Sequence, residues 1–79
     1  MAMTDRELGQ ALRDLRIQAG VTQVLMARWC HYEQPHVSRI ECGLAPVTLP
    51  ALRGYARAAG RQAVVTLLAR ALDTTSRAS

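Results

Sequence analysis

Lysine, asparagine and phenylalanine are missing from this chain of 79 residues, and six acidic side chains stand against ten basic ones, all of them arginine. The net charge of +4 favours an anionic partner such as nucleic acid. Absence of lysine and asparagine beside abundant alanine marks a GC-rich coding sequence, so the sign of the balance carries more than the number of arginines. Cysteine is scarce: Cys30 and Cys42 are too few for a disulfide framework and are expected as reduced thiols. No apolar run approaches the roughly 20 residues that cross a bilayer, and the N-terminus lacks the zones of a secretory signal, so a cytoplasmic location without membrane association is expected.

Chemistry-bearing clusters are equally sparse. Neither a nucleophile with a base nor a pair of inward carboxylates can be assembled, so no enzyme activity and no cofactor are expected. A metal site drawn from Cys30, His31, His36 and Cys42 fits no close-paired zinc spacing, and Cys30 should point inward; no metal is expected. The length leaves room for one small domain of marginal stability, which a second copy would help to bury.

What the chain does have is a dense pattern between Thr22 and Gly43. Met26, Ala27 and Cys30 recur at one-turn spacing, and Val37 and Ile40 repeat it after a break, as two short helices burying facing stripes would. Thr22 can cap the first and Gly43 can end the second, so the stretch reads as a helix-turn-helix. Tyr32 can plug the gap under the turn. Because proline suits the first helical position and disfavours helix in its predecessor, the second helix is expected to begin at Pro35 with Gln34 as its cap.

On either side the signals remain helical. Thr4 and Glu7 form a capping box, followed by an apolar face of Leu8, Ala11, Leu12, Leu15 and Ala19 and a stop at Gly20. Thr48 caps a further helix with Pro50 in its first turn, Leu49, Leu52, Tyr55, Ala56 and Ala59 inward, and Gly54 marking a close approach. Residues 61–72 admit two readings. Val64, Leu67, Leu68, Ala71 and Leu72 make a helical stripe, whereas Ala63, Val65 and Leu67 alternate as in a strand. The helix is the preferred reading, and its wide stripe points to Val64, Leu67, Leu68 and Leu72 as contacts with a second copy; a strand would pair with its twin instead. The predicted fold is all-α, a compact bundle of about five short helices, with one domain over residues 4–72 and a flexible tail over 73–79.

Thr22, Gln23, Ala27, Val37, Ser38, Arg39, Ile40, Glu41 and Gly43 together resemble the DNA-binding domain of the Cro and lambda-repressor-like (XRE) family, over about residues 8–60. The chain departs from that pattern at His31, where the family has glycine, and at Glu33, where it has a capping serine or threonine; a left-handed His31 should strain the turn. The resemblance implies a partly buried ion pair between Arg16 and Glu41, contacts to bases or nearby phosphates from Gln34 and Arg39, and phosphate contacts from Thr22 and Gln23. From the residues themselves, Gln34, Pro35, Ser38 and Arg39 look outward: Gln34 suits adenine, Arg39 guanine and Pro35 a thymine methyl, while His36 borders them within reach of phosphate.

Three functions compete. The first is a sequence-specific transcription regulator, a repressor bound as a homodimer to a palindromic site in double-stranded DNA. The second is a helix-turn-helix antitoxin of a toxin-antitoxin pair, and the third a protein-interaction adaptor that has lost DNA binding. Leu25 and Trp29, one turn apart where the family is commonly polar, would anchor a protein partner if exposed; the alternative is that Trp29 folds down onto the bundle.

Overall fold

Three threonines decide where three of the helices begin. In the computed structural model, which describes residues 3–73, Thr4 opens α1 (Asp5–Gln18), Thr22 opens α2 (Gln23–Cys30) and Thr48 opens α4 (Leu49–Ala59). Each hydroxyl accepts a backbone N–H three residues on, from Glu7, Leu25 and Ala51, satisfying donors that a first helical turn leaves over. The capping box at Thr4 is complete, its own N–H donating to the Glu7 carboxylate at 2.8 Å. With α3 (Gln34–Glu41) and α5 (Arg61–Ala71), the described residues form five helices and no strand, the all-α bundle expected.

The first three helices end alike. At the end of α1, Val21 N–H reaches Arg16 C=O and Gly20 N–H reaches Ile17 C=O; Leu44 to Arg39 and Gly43 to Ile40 repeat this after α3, and Tyr32 to Ala27 and His31 to Arg28 after α2. This double closure needs one left-handed residue. Glycine fills that position twice, at Gly20 and Gly43, but the turn between α2 and α3 places His31 there, at φ 60° and ψ 38°.

The start of α3 differs from expectation. Glu33, extended at φ −90° and ψ 155°, is the cap residue and makes no side-chain capping bond; Gln34 is already helical and Pro35 takes the second position. Proline costs nothing there, because the second N–H of a helix has no intrahelical acceptor anyway. The Glu33 carboxylate still lies at the positive end of the helix dipole.

The core draws on every helix: Leu12 from α1, Met26, Ala27 and Cys30 from α2, Val37 and Ile40 from α3, Ala51 and Tyr55 from α4, Val64 and Leu67 from α5. Close crossing depends on two glycines. A Cβ at Gly54 would lie 2.4 Å from the Cys30 sulfur, and one at Gly9 would lie 2.4 Å from the Ile40 carbonyl, so α4 seats on α2 and α1 on the end of α3 only without side chains at these points.

Residues 61–71 are helical despite their valines, since Val64 and Leu67, one turn apart, both reach the core and tertiary burial outweighs strand preference. That placement corrects the sequence reading: Val64 and Leu67 are taken up by the core of their own chain, and Leu68 is half-buried, whereas Leu72 is 64 % exposed. Leu49 is not inward either, at 58 % exposed, because the first turn of α4 reaches the core through Ala51 instead. Ala19 is exposed too, lying beyond the last turn of α1. Of the tail assigned to 73–79, residues 74–79 lie outside the described residues.

The His31 conformation predicts that His31→Gly raises stability by roughly 0.5–1 kcal/mol, the relief of a left-handed side chain less the entropy glycine adds to the unfolded state. Urea unfolding of the two proteins measures it, and an unchanged or lower midpoint would contradict a strained turn.

Candidate nucleic-acid interface

Arg16 and Glu41 are brought together in the interior, 7 % and 2 % exposed. Arg16 donates from Nε to Glu41 Oε2 at 2.8 Å and from Nη2 to Oε1 at 3.0 Å, while its Nη1 donates to the Val21 carbonyl at 2.9 Å. Two further donors complete the carboxylate: the Tyr55 hydroxyl to Oε2, and Gln23 Nε2 to Oε1 at 3.0 Å. Four helices thus meet on one anion. Burial alone would push Glu41 up, but the bonds from Arg16, Tyr55 and Gln23 outweigh it and hold the carboxyl below its ordinary value. Burial and the neighbouring Glu41 push the Tyr55 hydroxyl far up, so it remains a proton donor. No buried side-chain nitrogen or oxygen among the described residues lacks a partner.

The network continues to the surface. Gln23 spends its N–H on Glu41, which turns its Oε1 toward Gln34, whose Nε2 donates to it at 2.7 Å. Gln34 is therefore half-buried and tethered rather than freely projecting, a correction to the sequence reading, though its own Oε1 and second N–H are not spent in that bond. Ser38 is also half-buried. Pro35 and Arg39 are exposed as expected. On α2, Thr22 is exposed and its oxygen accepts from Leu25, which leaves the hydroxyl hydrogen for an outside acceptor.

His36 stands against Tyr32, their rings stacked with centroids 4.1 Å apart and planes within 10°. The Tyr32 hydroxyl bonds the hydroxyl of Thr48, so the residue after the turn is fastened to the start of α4. Trp29 packs on the core with the Arg57 guanidinium 4.5 Å above its ring, so one face of the indole is covered. Leu25, at the edge of exposure, is the more open member of the pair singled out in the sequence.

Cys30 is buried, and burial pushes its thiol up; Cys42 is exposed. No three of the histidine, cysteine and carboxylate side chains among the described residues gather closely enough to hold a metal ion. No helix among them is long and apolar enough to cross a membrane.

Sequence reasoning reached Arg16 and Glu41 but missed the donors around them. Tyr55 was read as an inward residue only, yet a buried tyrosine hydroxyl needs an acceptor, and that requirement was a usable signal. Gln23 and Gln34, eleven positions apart, gave no comparable signal.

A family model described as a helix-turn-helix domain matches residues 7–78. No curated protein and no solved structure matches the chain.

Removing the carboxylate strands a buried guanidinium, so Glu41→Ala is expected to cost about 3–5 kcal/mol in chemical unfolding. Acid should act on the same group. Because its folded value lies below the ordinary 4.5, the stabilisation it gives is complete above that pH and drains away as pH falls toward the lowered value. The fall in Tm below pH 4.5 should therefore be steeper in the native chain than in Glu41→Gln. Parallel curves would assign the acid response to other carboxylates.

Proposed function

The chain belongs to the helix-turn-helix domain family, and from that premise we propose that it is a sequence-specific DNA-binding transcription regulator, a cytoplasmic repressor of the Cro and lambda-repressor-like kind. Residues 4–72 act as one unit. The observation that carries this reading is α3 itself, anchored at its C-terminal end by Glu41 and near its start by the Gln34 to Gln23 bond, with Pro35 and Arg39 left outside. A helix held at both ends keeps its register when it enters the major groove.

In this reading Arg39 forks onto the O6 and N7 of guanine, and Pro35 meets a thymine methyl. Gln34 offers adenine an acceptor and a donor from an amide already oriented by Gln23, so part of the ordering cost is met before binding. Ser38 completes the base-reading face. Thr22, Gln23 and the stacked His36 take phosphate oxygens, with the start of α2 aimed at the backbone. The exposed Glu33 works against phosphate, and the net charge of +4 outweighs it at long range.

Two copies would read a palindromic operator, one half-site each, about one helical turn apart. Since Val64 and Leu67 are committed to the core and Leu68 is half-buried, the contact between copies falls to the end of α5 at Leu72, and the operator itself does most to bring them together.

Binding sites selected from random DNA test the reading. Affinity for the selected site should fall linearly on a log scale with salt, and Arg39→Ala should weaken it by about 1–3 kcal/mol and relax one base position. A chain that selects no site, or whose binding ignores both salt and Arg39, is not such a regulator.

A further inference from the structure

Between α4 and α5 lies an apolar groove of about 290 Å³, away from the Arg16 and Glu41 network. Leu49, Leu52, Val65 and Leu68 line it, and Leu49 and Val65 are 58 % and 49 % exposed. Aliphatic side chains gathered at the surface in one groove make it a candidate docking surface. Arg53 and Arg61, both exposed, are the charged residues of its lining.

The sequence says what kind of occupant. From Cys42 to Leu72 there is no acidic residue, while Arg53, Arg57, Arg61 and Arg70 fall within that span. A second copy laid groove on groove about a two-fold axis would set arginine against arginine, and the acidic residue nearest in sequence, Asp73, is beyond the last turn of α5. Residues 74–79 carry no large apolar side chain and no acid. The groove is an open trough rather than a closed cavity, a shape that suits an elongated partner better than an enclosed small ligand. A helix laid along it meets these conditions, with apolar residues one turn apart entering between α4 and α5 and flanking carboxylates meeting the two guanidiniums.

We propose that the groove between α4 and α5 docks an acidic amphipathic helix of another protein, its leucine-like side chains on Leu52, Val65 and Leu68 and its carboxylates on Arg53 and Arg61. This surface is separate from α3, so it stands or falls independently of DNA reading.

The probe is a capped peptide of about 15 residues, four helical turns, with leucine at positions i, i+3, i+4 and i+7 and glutamate on its flanks. A matched peptide carries lysine for glutamate. Titration of each into the isotope-labelled full chain, followed by amide resonances, should give saturable shifts confined to α4 and α5 with the glutamate peptide, roughly tenfold tighter than with the lysine peptide. Val65→Glu, an exposed change that leaves the helical spectrum intact, should abolish the shifts. Arg53→Glu with Arg61→Glu should invert the preference. No binding, equal affinity for the two peptides, or shifts mapping elsewhere would overturn the proposal. So would a chain that sediments as a dimer and becomes monomeric on Val65→Glu, which would give the groove to a second copy, or quenching of the same resonances by anionic phospholipid vesicles where the peptide fails.

Discussion

A carboxylate accepts hydrogen bonds and cannot donate them, and the one at Glu41 is buried at the point where four helices converge. Taking it out of water is worthwhile only because Arg16, Tyr55 and Gln23 fill its acceptor sites together. That condition ties the angle of α3 to the positions of α1, α2 and α4: if any one of them shifts, a donor is lost and the cost of the buried charge returns. Apolar packing in a core this small would tolerate several arrangements of five short helices. The ionic centre selects among them, and it holds the helix whose outer face carries Pro35 and Arg39.

The helices were legible in the sequence where local chemistry fixed them. Thr4, Thr22 and Thr48 announced starts and Gly20 and Gly43 announced ends, because caps act within four residues of chain. The ion pair was reachable only by resemblance, since nothing local links positions 16 and 41. Two misreadings have a common source. Gln34 was assigned a free tip and Val64 and Leu67 an outer face, yet where those side chains point depends on partners brought in by tertiary packing, Gln23 in one case and the floor of the bundle in the other. The start of α3 was misplaced by one residue because the local preference against helix before proline was overruled in a segment fixed at both ends.

Charge is distributed unevenly along the chain, and the distribution divides the surface. Asp5, Glu7, Asp14, Glu33 and Glu41 all precede Cys42, and two of them are used for helix capping or the ionic centre. In the later helices arginine is the only charged residue, set among mainly aliphatic side chains. One of those arginines, Arg57, is placed over the Trp29 ring, where its charge serves packing. The others give the second half of the molecule a cationic, greasy character unlike the mixed polar face of α3.

Only Gly60 separates α4 from α5, at φ 95° and ψ 146°, with its N–H closing on the Ala56 carbonyl at 2.8 Å. A joint of a single residue acts as a fixed elbow, and its length matters more than the side chains around it. One inserted residue would rotate everything downstream by about 100° and advance it by about 1.5 Å. Ala63 and Thr66 would then take the buried places of Val64 and Leu67, and Val64 would be carried to the exposed place of Val65. Insertions and deletions should thus be tolerated in the looser connection over residues 42–48 long before they are tolerated at this exposed glycine, so homologous chains of different length should vary there and keep the elbow.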